Sequence, residues 1–279
     1  MREPTTTHPA ATSPATPGRT PSEHRLREAG LPVTDLAPVL AEETDPLLFA
    51  TVSGAHLYGF PSRDSDIDLR GVHVLPVEAL IGLDEPDETR TRMGERDGVE
   101  MDLVTHDLRK FARLMLRRNG YVLEQLLSPL VVHTTDAHRE LASVVPGLLT
   151  SHHAHHYAGF AATQWRLFER TGESKPLLYT FRALLTGIHL MRGGGIEAHL
   201  PTLLGEVAAP AYLPDLIAAK AGAEHGRDGV PDRALAEKDV TALRTVLEDA
   251  RAATALPEEP GTAGRDALHA LVVRTRLSL

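Results

Sequence analysis

Ser53-Gly54-Ala55-His56-Leu57-Tyr58-Gly59-Phe60-Pro61-Ser62-Arg63-Asp64-Ser65-Asp66-Ile67-Asp68-Leu69-Arg70-Gly71-Val72 is the stretch on which the fold is read. It follows a mostly apolar run at 47–52 and opens with a glycine turn. It closes in alternation: Ile67 and Leu69 take one face of a strand, Asp66 and Asp68 the other. Residues two apart on a strand lie roughly 6–7 Å apart along the chain. The pattern predicts a strand, a glycine turn, a short helix or loop, and a second strand with two carboxylates side by side.

Carboxylates this close repel each other unless one is protonated or a cation lies between them. Mg²⁺ suits such a pair, because it prefers oxygen ligands and takes one or two carboxylates together with substrate phosphates. Gly54 and Gly59 let the backbone approach a triphosphate, and N–H groups at a helix start attract anions. A phosphate cradle followed by paired metal ligands holds the parts for nucleotidyl transfer. A calcium loop starting at Asp64 fails, since Leu69 stands where glycine is required and Leu75 where the final glutamate is required.

Gly54-x-x-x-x-Gly59 with Asp64-Ser65-Asp66-Ile67-Asp68-Leu69 resembles the signature of the DNA polymerase β nucleotidyltransferase superfamily. The longer string, through Arg70-Gly71-Val72, is similar to the RNA-repair-associated RlaP branch. That likeness continues through Leu108-Arg109-Lys110-Phe111 and Arg118-Asn119-Gly120-Tyr121-Val122-Leu123-Glu124. The resemblance implies an α+β chain: a small mixed β-sheet core flanked by helices, then an all-α region. It implies Asp66 and Asp68 as catalytic metal ligands for two Mg²⁺ or Mn²⁺ ions, with a third acid from a neighbouring strand, Asp102 before Glu100. It further implies a nucleoside triphosphate substrate held around Ser53, Gly54, Ala55 and Tyr58, and an acceptor for which an RNA end is one candidate. The sequence departs from the branch at Ala55, where the superfamily turn usually has serine, and at Gly120, where the branch usually has proline.

The chain has 279 residues, 42% of them hydrophobic and only 4% aromatic, so its core is built mainly from Leu, Val and Ala. A net charge of −9 argues against a broad nucleic-acid surface, though not against a local basic groove. With no cysteine, disulfides and thiolate zinc sites are excluded. Neither a membrane-length apolar run nor the apolar core of a signal peptide is present, which makes a cytoplasmic location the expectation.

Taken in order, residues 1–21 are rich in Thr, Pro, Ala and Ser and are expected to be a disordered tail. The nucleotidyltransferase-like core is expected at 22–132 and a helical domain at 133–279. Within the core, 22–27 and 35–43 read as short helices, 47–52 as a buried strand and 67–75 as the aspartate strand. The polar run 84–98 reads as a mobile loop, 99–105 as a strand, and 107–118 and 121–127 as helices. Beyond 132 the periodicity is helical at 136–145, 152–170, 176–192, 214–223, 232–253 and 266–277.

Several groups admit two readings. Arg63 and Arg70 are placed either to meet phosphates or to neutralise the acids. Lys175, Tyr179 and Arg182 share one helical face, which clamps the nucleotide or else lies at the surface. Glu124 is a supporting acid of the site, or else a surface or capping residue. His152 and His156 lie one turn apart, a zinc-compatible spacing, yet without a third ligand they read first as a histidine-rich helix surface. Trp165 and Phe168 read first as core.

Overall fold

The computed structural model describes residues 21–193, 195–222 and 226–278; the tail expected at 1–21 lies almost wholly outside them. In chain order the elements are α1 Pro21–Glu28, α2 Ala37–Leu40, β1 Leu47–Val52, α3 Gly54–Tyr58, β2 Ile67–His73, α4 Val77–Ile81, β3 Thr89–Arg96, β4 Val99–Asp107, α5 Leu108–Leu116 and α6 Gly120–Leu126. There follow β5 Val131–Thr134, α7 Asp136–Val144, α8 His153–Thr171, α9 Ser174–Gly193, α10 Leu200–Glu206, α11 Leu213–Lys220, α12 Arg233–Ala253 and α13 Thr262–Leu277.

The strands form one mixed sheet in the order β3-β4-β2-β1-β5, with β2 and β4 parallel and the other pairs antiparallel. The α+β class with a helical C-terminal region is thus what the chain adopts. β1 and β2 are almost wholly buried; β1 reads as a near-continuous apolar run, whereas β2 keeps the alternation that carries Asp68 and Arg70. Gly71 is fixed by this packing, since a Cβ there would stand 2.6 Å from the Phe49 carbonyl oxygen.

The expected loop at 84–98 is instead largely strand. β3 lies at the sheet edge and is mostly exposed, so it carries no apolar alternation for a periodicity argument to find. Its arginines are held by acids of the preceding segment, Arg90 by Asp45 and Arg92 by Glu42 and Glu43. The signal that marked it is the turn: Asp97 and Gly98 both have positive φ, 53° and 78°, as a two-residue type I′ hairpin requires.

α9 is the centre of the helical region, apolar nearly all round and buried on most of its length. α10 is a helix that periodicity did not show. α7 and α13 pack back toward the sheet. Phe49 of β1 stacks on His138 of α7 at 4.4 Å, and Arg276 of α13 donates from Nη2 to both oxygens of Asp107 at 2.9 Å. Asp107 also caps α5 by accepting from the Arg109 N–H. Among the described residues no helix is long and apolar enough to cross a membrane.

Candidate functional site

The parallel register of β2 and β4 sets Asp68 directly beside Asp102. Both side chains are partly open, at 29% and 23% exposed, on a sheet whose central strands are otherwise closed. Arg70, two residues along the same face of β2, lies between them. Its Nη2 donates to Asp68 Oδ1 at 2.7 Å and to Asp102 Oδ2 at 2.9 Å. Its Nη1 donates to the carbonyls of Leu69 and Asp102, and its Nε to the Tyr121 hydroxyl at 3.1 Å. Of the two roles open to Arg70, this geometry is the neutralising one.

Burial pushes the Asp68 carboxyl above the usual carboxylate range. The negative charges of Asp102 and Asp66 push it the same way, while Arg70 and Lys175 oppose them. Asp66 itself is exposed, immediately before β2. Glu100 is also exposed and stands opposite Glu95 of β3, so Asp102 rather than Glu100 is the acid registered with Asp68.

The glycine turn packs against the acid pair. Gly54 has φ +62°, and a Cβ there would fall 1.8 Å from Asp68 Oδ2, so no side chain fits this position. The Ser53 N–H donates to the Asp68 carbonyl at 2.8 Å, while the Ser53 hydroxyl is buried without a hydrogen-bond partner. Ala55 is buried in α3, a helix of five residues stopped by Gly59 in the left-handed conformation.

The remaining candidates divide. Arg63 is exposed on the turn before Asp66, and Lys175, at the start of α9, acts electrostatically on Asp68. Tyr58 and Arg182 lie elsewhere, in the interior. The Tyr58 hydroxyl donates to Glu124 Oε2 at 3.2 Å, Arg182 Nη1 donates to Glu124 Oε1 at 2.9 Å, and the guanidinium covers the Tyr58 ring at 3.8 Å. Tyr179 packs edge-on against Tyr58 and Phe60 at 5.4 Å. The shared helical face of Lys175, Tyr179 and Arg182 therefore runs from the acid pair into the core. Glu124 is neither a surface nor a capping residue; it is the buried partner of Arg182. Trp165 and Phe168 are core residues in mutual contact.

One residue with no sequence signal is Lys220, buried in α11. Its Nζ donates to Ser62 Oγ at 2.9 Å and lies 3.4 Å from Ser65 Oγ, so it ties the turn that carries Asp66 to a helix 158 positions away. Only a fold reveals a contact of that separation.

The acid pair itself offers carboxylate oxygens, the ligand type that Mg²⁺ or Mn²⁺ prefers, with the Arg70 guanidinium between them. Asp102 Oδ1 is buried with no hydrogen-bond partner, an acceptor that gains from a cation or a proton. Among the described residues no group of three His, Cys, Asp or Glu side chains closes on one point, so Asp66, Asp68 and Asp102 do not form the three-carboxylate group that the resemblance implied. With one or two carboxylates, Mg²⁺ relies on substrate phosphates for its other ligands. Among the described residues the histidines at 152–156 form no such group either.

The family model described as "RNA repair pathway DNA polymerase beta family" matches residues 32–274 of the chain. An uncharacterized protein of Methanocaldococcus jannaschii is 31% identical over 157 residues, 54% of this chain and 63% of its own length. The uncharacterized protein YcgL of Bacillus subtilis is 32% identical over 93 residues, 31% of this chain and 32% of its own length. The chain therefore spans less than two thirds of these curated relatives. A solved nucleotidyltransferase-like protein from Exiguobacterium sibiricum is 12% identical, with 82% of this chain and 74% of that one covered at a TM-score of 0.26.

Proposed function

The chain belongs to the RNA repair pathway DNA polymerase beta family, and from that premise we propose that it transfers an NMP from a nucleoside triphosphate to an acceptor, with release of pyrophosphate. The observation that carries this reading is the registered, half-open pair Asp68 and Asp102 beside a glycine that only a bare backbone can occupy.

Asp68 and Asp102, with Asp66 at the rim, are the residues that would hold Mg²⁺ or Mn²⁺; two ions are expected. The cation would supply charge neutralisation for the polyphosphate. Arg70 fixes both carboxylates against each other's repulsion. Gly54 lets the Asp68 carboxylate pack against bare backbone, and Lys175 adds positive charge that acts on Asp68. The acceptor oxygen forms a bond to the α-phosphorus, the bond to pyrophosphate breaks, and the acceptor's proton passes to a carboxylate, for which Asp102 is the candidate.

The test is incubation of the full chain with each α-labelled NTP, Mg²⁺ and separate RNA, protein and metabolite fractions. Label should enter one fraction with stoichiometric pyrophosphate, and Asp68→Asn should lower both by about 10²–10³-fold. Transfer at the wild-type level by that variant overturns the proposal. One observation favours a second reading, a nucleotide-binding protein that has lost turnover: Arg70 already engages one oxygen of each acid, and Ala55 replaces the usual serine. Calorimetry showing NTP binding without any pyrophosphate release would select it.

A further inference from the structure

We propose that the cavity between the end of α5 and the start of α8 is a docking groove for the phosphodiester backbone of a single-stranded nucleic acid. Its role as the acceptor's docking site rests on the transfer reaction proposed above; its binding of a strand does not.

The groove has a volume of about 460 Å³ and is lined by Arg117, Arg118, Asn119, His152, His155 and His156. No carboxylate lines it. Arginine offers five N–H donors in a fork that matches phosphate, and imidazole and amide groups add further donors. The other two arginines of α5, Arg109 and Arg113, are matched with Glu88. Among the described residues Arg117 and Arg118 have no such partner. Two guanidinium groups left without acids in a chain of net charge −9 mark a place where negative charge is to be supplied from outside.

The backbone agrees. Arg118 has φ +62° at the position just past a helix end, where glycine or asparagine is usual. A left-handed arginine is strained relative to a right-handed one, and such local strain gathers at binding sites. The groove is also rigid. A Cβ on Gly120 would stand 2.7 Å from the Tyr157 ring and 2.9 Å from His156, so the first turn of α6 is pressed against α8.

The groove leads to the acids. Asn119 Oδ1 accepts from the Tyr121 N–H at 3.1 Å, and the Tyr121 hydroxyl accepts from Arg70, which holds Asp68 and Asp102. Tyr121 thus follows the two arginines by three and four positions in the chain, and its hydroxyl meets the arginine that holds both acids. A mononucleotide bound at the acids needs no second set of phosphate donors beyond Tyr121; a strand reaching the acids with its end does.

The experiment uses the full chain and a fluorescein-labelled 12-nucleotide single strand, as RNA and as DNA, with anisotropy followed over a salt series. The double variant Arg117→Ser/Arg118→Ser should bind at least tenfold more weakly. Its salt dependence of log K should flatten by about 1.4, two contacts at about 0.7 each. Its thermal melt and its affinity for a fluorescent ATP analogue should match the wild type. Equal strand affinity and equal salt slope in the two proteins, or binding of inorganic pyrophosphate with no binding of either strand, overturns the groove. Asp68→Asn should retain strand binding. Strand binding that depends on the arginines in a protein without label transfer would sink the reaction and leave the groove standing.

Discussion

Two arginine–carboxylate clusters lie at opposite ends of one line of side chains, and they are built for different ends. Around Glu124 everything is closed. Arg182 and Tyr58 each take one of its oxygens, all three are buried, and the guanidinium lies on the Tyr58 ring. Around Asp68 the balance is incomplete. One guanidinium faces two acids, a third acid stands at the rim, Asp102 Oδ1 has no donor, and water reaches both registered carboxylates. A cluster whose charges are paired and sealed from water, with Arg182 Nε left without a hydrogen bond, fixes the packing of α3, α6 and α9. A cluster with surplus negative charge and an opening to solvent holds a free energy that a cation can release. The sequence presented Arg182 and Arg70 as equals; burial separates them.

The contrast can be broken most forcefully at the closed cluster. Arg182→Met or Glu124→Gln leaves a buried charge unmatched, so the free energy of unfolding in urea should fall by about 3–5 kcal/mol. A loss below about 1 kcal/mol, the size of an exposed pair, would show that the cluster is not sealed. At the open cluster the effect moves from stability to turnover. Asp68→Asn and Asp102→Asn should each lower label transfer by about 10²–10³-fold, the range for removing one group that stabilises transition-state charge. A circular-dichroism melt should show the fold intact, and a fall of equal size in stability would erase the distinction.

Gly54→Ala joins the two kinds of effect. The left-handed backbone costs about 1–2 kcal/mol, and the added methyl group displaces Asp68 Oδ2, so a modest loss of stability should accompany a loss of transfer. The smallest expected effect is in pH. Burial raises the native Asp68 value, so the folded state binds that proton more tightly than the unfolded chain. The stability it contributes is present below about pH 4, the ordinary Asp value, and is lost as pH rises through the elevated native value. Asp68→Asn should therefore melt slightly above the wild type at neutral pH, with the gap closing toward pH 4. A gap that stays constant across that range would show that Asp68 carries no unfavourable charge in the fold.

The central strands were legible because burial on both faces leaves an apolar run, and the aspartates were legible because a strand shows its two faces in alternate letters. The Leu-Arg-Lys-Phe helix and the long helices beyond 132 announced themselves by their apolar stripes. β3 did not, because an exposed edge strand buries too little to be patterned; only Asp97-Gly98 betrayed it. The pairing of Asp102 with Asp68 came from resemblance, and the strand register supplied its physical basis.

By itself, then, the sequence determined where the carboxylates, the glycine turn and the helical faces lie along the chain, since those depend on local periods of two and 3.6 residues. Only the tertiary structure decided which arginine meets which acid, at separations of 32, 58 and 169 positions for Arg70, Arg182 and Arg276. The physical reason is that a charge is neutralised or left open by whatever the fold brings within about 4 Å of it, and neighbours in space carry no period in sequence.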